Sequence, residues 1–301
     1  MRAAVALLLA LTAAGTAEAQ PVSATPPKVG VIVVAHGGGP EWNAGVFAAV
    51  KQAGLTTPVE VSFLMGPAAP QHRFQDAVTR LRQAGASQAV VVPLFVSSKS
   101  GHVDQIRWLM GLTEQLDTVM HHHLHMSGIA RPTDRMPMTL TPALDDAAEL
   151  VDALSARAET LRPDRGTRAA LLLVGHGPNL EAEYAHWMEH LRRVAQGVRE
   201  RTGWRDVRVG LVKDDAPPAE RAEAVRNVRD LAELQAAMAR DSVTVVPILL
   251  APGKLTKVGL PRDLANLPVR YTGEPLLPHP ALGRWIARRV REAQPVSVTS
   301  N

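Results

Sequence analysis

Two histidines stand where they could meet a ligand. His36 directly follows the apolar run Val29–Ala35 and is trailed by Gly37, Gly38 and Gly39. Glycines at that place let the backbone turn sharply and leave room for a ligand beside the chain. His102 lies in Val96-Ser97-Ser98-Lys99-Ser100-Gly101-His102-Val103-Asp104, a Ser-, Lys- and Gly-rich stretch after another apolar run. Neutral imidazole binds late divalent ions near pH 7 and also accepts protons. His36 therefore reads as a metal ligand or an acid–base group, or alternatively as a structural histidine bonded to a nearby loop.

The elements that must position these side chains come in duplicate. Val29–Ala35 with His36-Gly37 is matched by the run 169–175 with His176-Gly177. Helical patterns follow over 41–53 and 180–201, second strands over 59–64 and 207–212, and second helices over 74–84 and 220–240. Third strands end in Val92-Pro93-Leu94-Phe95 and Val246-Pro247-Ile248-Leu249, and then come Gly101-His102 and Gly253-Lys254. Short apolar runs alternating with amphipathic helices predict parallel sheets covered on both faces. The expected fold class is α/β: two similar doubly wound parallel-sheet domains facing a central cleft. Ligands in such sheets bind beyond the carboxyl ends of the strands, where His36, the segment after Phe95 and His176 would all lie. A non-periodic stretch over 126–134, containing Gly128 and Pro132, reads as the linker. The domains are therefore expected over 28–130 and, with the preceding helix (143–161), over 134–295.

Composition narrows the chemistry. The 301 residues carry 33 Lys+Arg against 29 Asp+Glu and no cysteine. Disulfides, thiolate metal sites and thiol nucleophiles are excluded. A formal charge of +4 and 4% aromatic residues do not suit a nucleic-acid binder, but they do suit an anionic small molecule. Met1-Arg2, the apolar run 3–14 and Ala17-Glu18-Ala19 have the three-part layout of a secretory signal peptide over 1–19. Export, to a periplasm, is the expectation. The apolar run is too short to span a bilayer, and no membrane span is expected elsewhere.

Ala35-His36-Gly37, Val61-Ser62-Phe63-Leu64, Val91-Val92-Pro93-Leu94-Phe95 and Gly101-His102-Val103-Asp104-Gln105-Ile106, in this order, resemble the class II tetrapyrrole chelatases, the sirohydrochlorin cobaltochelatases and ferrochelatases of the CbiX/SirB type. The resemblance is close over 28–116 and looser over 169–290. It implies that His36 and His102 bind the incoming divalent metal (cobalt, alternatively nickel or iron) and take protons from the macrocycle, with His176 facing in from the second half. It also implies a tetrapyrrole partner rich in carboxylates. Ser97, Ser98, Lys99 and Lys254 are the candidate contacts, with Arg107, Lys257 and Arg262 as further cations.

The sequence also departs from that family. A glutamate often found after the second strand is here Met65, and a thioether is a poor ligand for hard ions and no base. The counterpart of His102 in the second half is Lys254. A non-catalytic metal or tetrapyrrole carrier is accordingly the alternative function. His121, His122, His123 and His125 form a tract that reads either as a metal-loading patch or as the polar end of a helix beginning near Val103. His186 and His190 share one helix face, a spacing more usual for surface residues. Lys213-Asp214-Asp215 suits a helix cap better than a substrate contact. The oligomeric state is not legible.

Overall fold

The computed structural model describes residues 28–163, 169–178 and 180–293. The expected signal peptide lies outside the described residues. The first half runs β1 (Val29–Ala35), α1 (Pro40–Gln52), β2 (Val59–Phe63), α2 (Phe74–Gln83), β3 (Gln88–Pro93), α3 (Gly101–Leu109), α4 (Thr118–Met126), β4 (Met138–Leu140) and α5 (Ala148–Glu159). The second runs β5 (Ala170–Gly175), α6 (Glu181–Thr202), β6 (Asp206–Leu211), α7 (Pro218–Ala239), β7 (Val243–Ile248), a π-helical turn (Leu255–Gly259), α8 (Leu260–Asp263), β8 (Val269–Tyr271) and α9 (Pro280–Ala293). The two sheets are wholly parallel, with strand orders β2-β1-β3-β4 and β6-β5-β7-β8.

The apolar runs of the central strands divide by alternation. Val31, Val33 and Ala35 of β1 face one core, and Ile32 and Val34 face another. In β5, Leu171 and Leu173 join that first core, while Leu172 and Val174 face a third. The first core is therefore shared by both sheets, and it holds Val46 of α1, Leu150 of α5, Val194 of α6 and Trp285 of α9. The outer faces are covered by α2, α3 and α4 on the first sheet and by α7 on the second. The layers run helix, sheet, helix, sheet, helix, and each fully buried Leu, Val or Ile contributes about 1.5–3 kcal/mol to them.

The closing helix of each half crosses to the other. α5 packs on α6 and β7, whereas α9 packs on α1 and β3, and the two helices touch each other. Arg288 of α9 grips both carboxylate oxygens of Glu149 in α5, each at 2.8 Å. Arg157 of α5 donates to the backbone oxygens of Pro275 and Pro278. The halves are thus interlocked through their closing helices.

Three expectations are corrected. The stretch after residue 134 does not all join the second half: Met138–Leu140 pairs with Ala89–Val91 in the first sheet. The four residues between Pro137 and Pro142 are too few to display a period. The histidine tract does not end the helix that begins near Val103. That helix, α3, closes at Met110-Gly111, where Gly111 takes a φ of 72°. The tract forms its own helix, α4, capped by the Asp117 carboxylate, which accepts from Val119 and Met120. The helix expected over 143–161 starts only at Ala148, because 143–147 is a turn that returns to the loop after β3.

Candidate metal centre

His36 leaves the end of β1, and His102 sits in the first turn of α3, the helix that follows the adjacent strand β3. The two rings meet edge to face with centroids 4.9 Å apart. Local chemistry holds each in place. Gly37 takes a φ of +89°, and a Cβ there would lie 2.1 Å from the Met65 carbonyl oxygen, so only glycine fits. Asn43 in α1 clamps the glycine loop, accepting from the Gly38 N–H at 2.9 Å and donating to its carbonyl at 3.0 Å. Ser100 caps α3. Phe95 stacks on His102 with ring centroids 5.5 Å apart.

Hydrogen bonding selects the tautomers. His36 Nδ1 lies 2.7 Å from the Gly37 carbonyl, which can only accept, so Nδ1 carries the proton. His102 Nδ1 lies 2.9 Å from Gln105 Oε1, and the Gln105 amide is oriented by donating to the Met120 carbonyl at 2.7 Å. Both rings therefore present a basic Nε2. Burial holds both rings below the ordinary imidazole pKa; His102, further depressed by the neighbouring His36, falls to about 4. Two neutral imidazoles with free Nε2 lone pairs form a site for a late divalent ion.

Gln105 is a site residue that spacing alone did not single out; its signal was a polar residue one turn past His102. Replacing it with Leu frees His102 Nδ1 to lose its proton, and metal affinity measured by calorimetry is expected to fall about 10–100-fold, as for other partners of ligating histidines. Unchanged affinity would mean that the tautomer is set elsewhere.

The depressed His102 pKa also predicts an acid sensitivity. The unfolded chain takes up this proton near pH 6.5, but the folded chain resists it down to about 4. Stability is therefore full above pH 6.5 and falls as pH drops through this window, by on the order of 3 kcal/mol. Urea unfolding at pH 6.5 and pH 4 should show a shallower decline in His102→Ala than in the parent. Equal declines would contradict the burial of a neutral ring.

The opposite wall comes from the second half. His176 follows β5 as His36 follows β1, with Nδ1 likewise against the next carbonyl, that of Gly177. Its Nε2, however, lies 2.8 Å from Asp215 Oδ2. Burial alone would lower the His176 pKa, but the Asp215 and Gly177 bonds outweigh it and raise it. The His176 bond in turn holds Asp215 below the usual carboxylate range. His36 and His102 both lie within electrostatic reach of this pair. Both His176 nitrogens are hydrogen-bonded here, and one of them lies within 4.8 Å of oxygens of Asp214 and Asp215, a group able to hold a metal ion as the sequence leads one to expect of His176. Asp215 was read as a cap, but α7 is capped at Pro217 without a side-chain bond, and Asp215 serves the cleft. Its neighbour Asp214 accepts from Arg221.

Ser97 and Ser98 hold the loop. Ser97 Oγ accepts from the Lys99 N–H at 3.1 Å, and Ser98 gives both its N–H and its hydroxyl to Asp145. The Lys99 carbonyl accepts from Trp187 Nε1 of α6 at 2.7 Å, tying this loop to the second half. Lys99 and Lys254 have exposed side chains, whereas Arg107, Lys257 and Arg262 pair with Asp104, Glu41 and Asp263. The Met65 N–H donates to the His36 carbonyl at 2.8 Å, so the residue in the glutamate's place does adjoin His36. Of the tract, His123 is half-buried and within electrostatic reach of His36 and His102; His121, His122 and His125 are exposed.

The two facing parallel-sheet domains define a chelatase-like fold. The chain belongs to the CbiX family, whose model matches residues 30–161 and again 170–293. Among solved structures, SirB from Bacillus subtilis with Fe3+ superposes with a TM-score of 0.63 at 17% identity, covering 88% of this chain and 95% of that one. The sirohydrochlorin chelatase SirB from Bacillus subtilis subspecies spizizenii, in complex with cobalt, gives 0.58 at 16% identity, with 88% and 95% covered. CbiX, described as the terminal enzyme for siroheme biosynthesis in denitrifying bacteria, gives 0.50 at 18% identity, with 88% and 100% covered. No curated protein sequence matches. Among the described residues, no helix is long and apolar enough to cross a membrane.

Proposed function

We propose that this protein inserts a divalent metal, cobalt in the first instance, into a sirohydrochlorin-type tetrapyrrole, and that it does so after export. The observation that carries this reading is the edge-to-face meeting of His36 and His102 with both Nε2 lone pairs free. Insertion requires a metal held weakly enough to be handed over and acceptors for two pyrrole N–H protons. Two imidazoles provide few ligands, so the ion can leave for the macrocycle. Once the metal leaves, the same two lone pairs can take the protons. The low proton affinity of His102 makes it a transient acceptor, and the Asp215 carboxylate across the cleft favours a proton on His36. Asp215 would thereby restore the carboxylate that Met65 removes, from the opposite half. Exposed Lys99 and Lys254 are available to the substrate's carboxylates.

The test mixes the protein without residues 1–19 with sirohydrochlorin and Co2+, Ni2+ or Fe2+ and follows the absorbance change of metallation. Catalysis should exceed background and be fastest with Co2+. Asp215→Asn should slow it about 10-fold or more, while leaving metal affinity at His36 and His102 nearly unchanged. Tight tetrapyrrole binding with no rate above background would instead make the protein a carrier, the reading that Met65 favours. An unaltered rate in Asp215→Asn would remove the relay.

A further inference from the structure

His186 and His190 of α6 belong neither to the cleft nor to a bare surface. Their rings lie 4.3 Å apart between centroids, and Asp145 of the first half joins them. One nitrogen from each ring and one Asp145 oxygen all lie within 4.8 Å of one another. Ligands bound to one tetrahedral ion at about 2.0–2.1 Å sit ~3.3 Å apart, so small side-chain rotations would close the set on an ion. Two further observations point to a cation, and a third shows that its carboxylate ligand is held in place. His186 Nε2 is buried with no hydrogen-bond partner, a state native proteins rarely leave uncompensated. His190 Nδ1 lies 3.3 Å from Asp146 Oδ1 and 3.2 Å from Arg193 Nη2; donation to Asp146 is the tautomer that leaves Nε2 for a metal. Asp145 is held by the Ser98 N–H and hydroxyl at 2.7 and 2.6 Å, with a φ of 48°. Of the nearby charges, Arg193 is paired with Asp146 and Glu189, and at His186 the Asp145 carboxylate opposes the charge of Lys99.

We propose that Asp145, His186 and His190 form a second metal site, for a zinc-class divalent ion, that pins α6 of the second half to the turn of the first half that holds Ser98, in the loop leading into His102. Two imidazoles and one carboxylate suit Zn2+, Co2+ or Ni2+ rather than Mg2+ or Ca2+. The ion would add to the Trp187–Lys99 bond one residue away on α6, so it would stabilise the apposition of the halves rather than take part in insertion. The site stands independently of the chelatase reading.

The experiment uses the full chain with His36→Ala and His102→Ala, which silences the cleft, and inorganic Zn2+ as the probe. Zn2+ bound per chain is measured by equilibrium dialysis, and Tm with and without Zn2+ by calorimetry. Adding His186→Asn, or separately His190→Asn, should lower the bound count by one and abolish part of the Zn2+-induced rise in Tm. The affinity of this site should drop by more than the ~10–100-fold typical of losing a ligand's hydrogen-bonding partner. The histidine tract is unchanged in every variant and cancels in the comparison. If count and Tm rise stay the same in both folded variants, the site does not exist.

Discussion

Replacing His36 and His102 together with Ala should reduce metallation to the uncatalysed background, a loss of at least about 10³-fold. Both the metal seat and the proton acceptors disappear at once, and general-base catalysis alone is typically worth 10²–10⁴-fold. Each single variant should retain a poorer one-imidazole site and lose less than the pair. The folded state should survive, because both rings sit at a strand end or helix start rather than within the shared core. The check is the Co2+-dependent absorbance change under single-turnover conditions, with far-UV circular dichroism as the control for folding. A double variant that still metallates above background would place the chemistry elsewhere in the cleft.

The second large effect is structural. Trp285 of α9 is fully buried in the core shared by both sheets, and α9 packs on α1 and β3 although it closes the second half. Trp285→Ala should cost about 3–5 kcal/mol. The loss should be felt first in the half to which Trp285 does not belong by sequence. Hydrogen exchange should show protection falling in α1 and β3 as well as in α9. Loss confined to residues 170–293 would show that the helix exchange carries little energy. The bidentate Arg288–Glu149 pair between α9 and α5 argues that it carries a good deal.

Much of this architecture is visible in the residues themselves. The buried strands are continuous apolar runs because parallel strands covered on both faces have no polar side, and the duplication of His36-Gly37 as His176-Gly177 marks the two halves. The meeting of His36 with His102 follows from their positions after adjacent strands. What the sequence hides is of two kinds. β4 and β8 have three residues each, below the length at which alternation is readable. The helix exchange and the Asp215–His176 pair are long-range matters, since no local pattern says that a carboxylate just before α7 turns back to a histidine 39 residues earlier. A Ser-rich loop also looks alike whether its hydroxyls are open to a ligand or, like those of Ser97 and Ser98, bonded to Lys99 N–H and Asp145.

Crystals soaked in Co2+ and measured across the cobalt absorption edge put the matter most directly. An anomalous peak within bonding distance of both His36 Nε2 and His102 Nε2, lost in the double Ala variant, is what this structure predicts. Cobalt found only on the α4 histidines or at Asp145, with those two nitrogens bare, would contradict it.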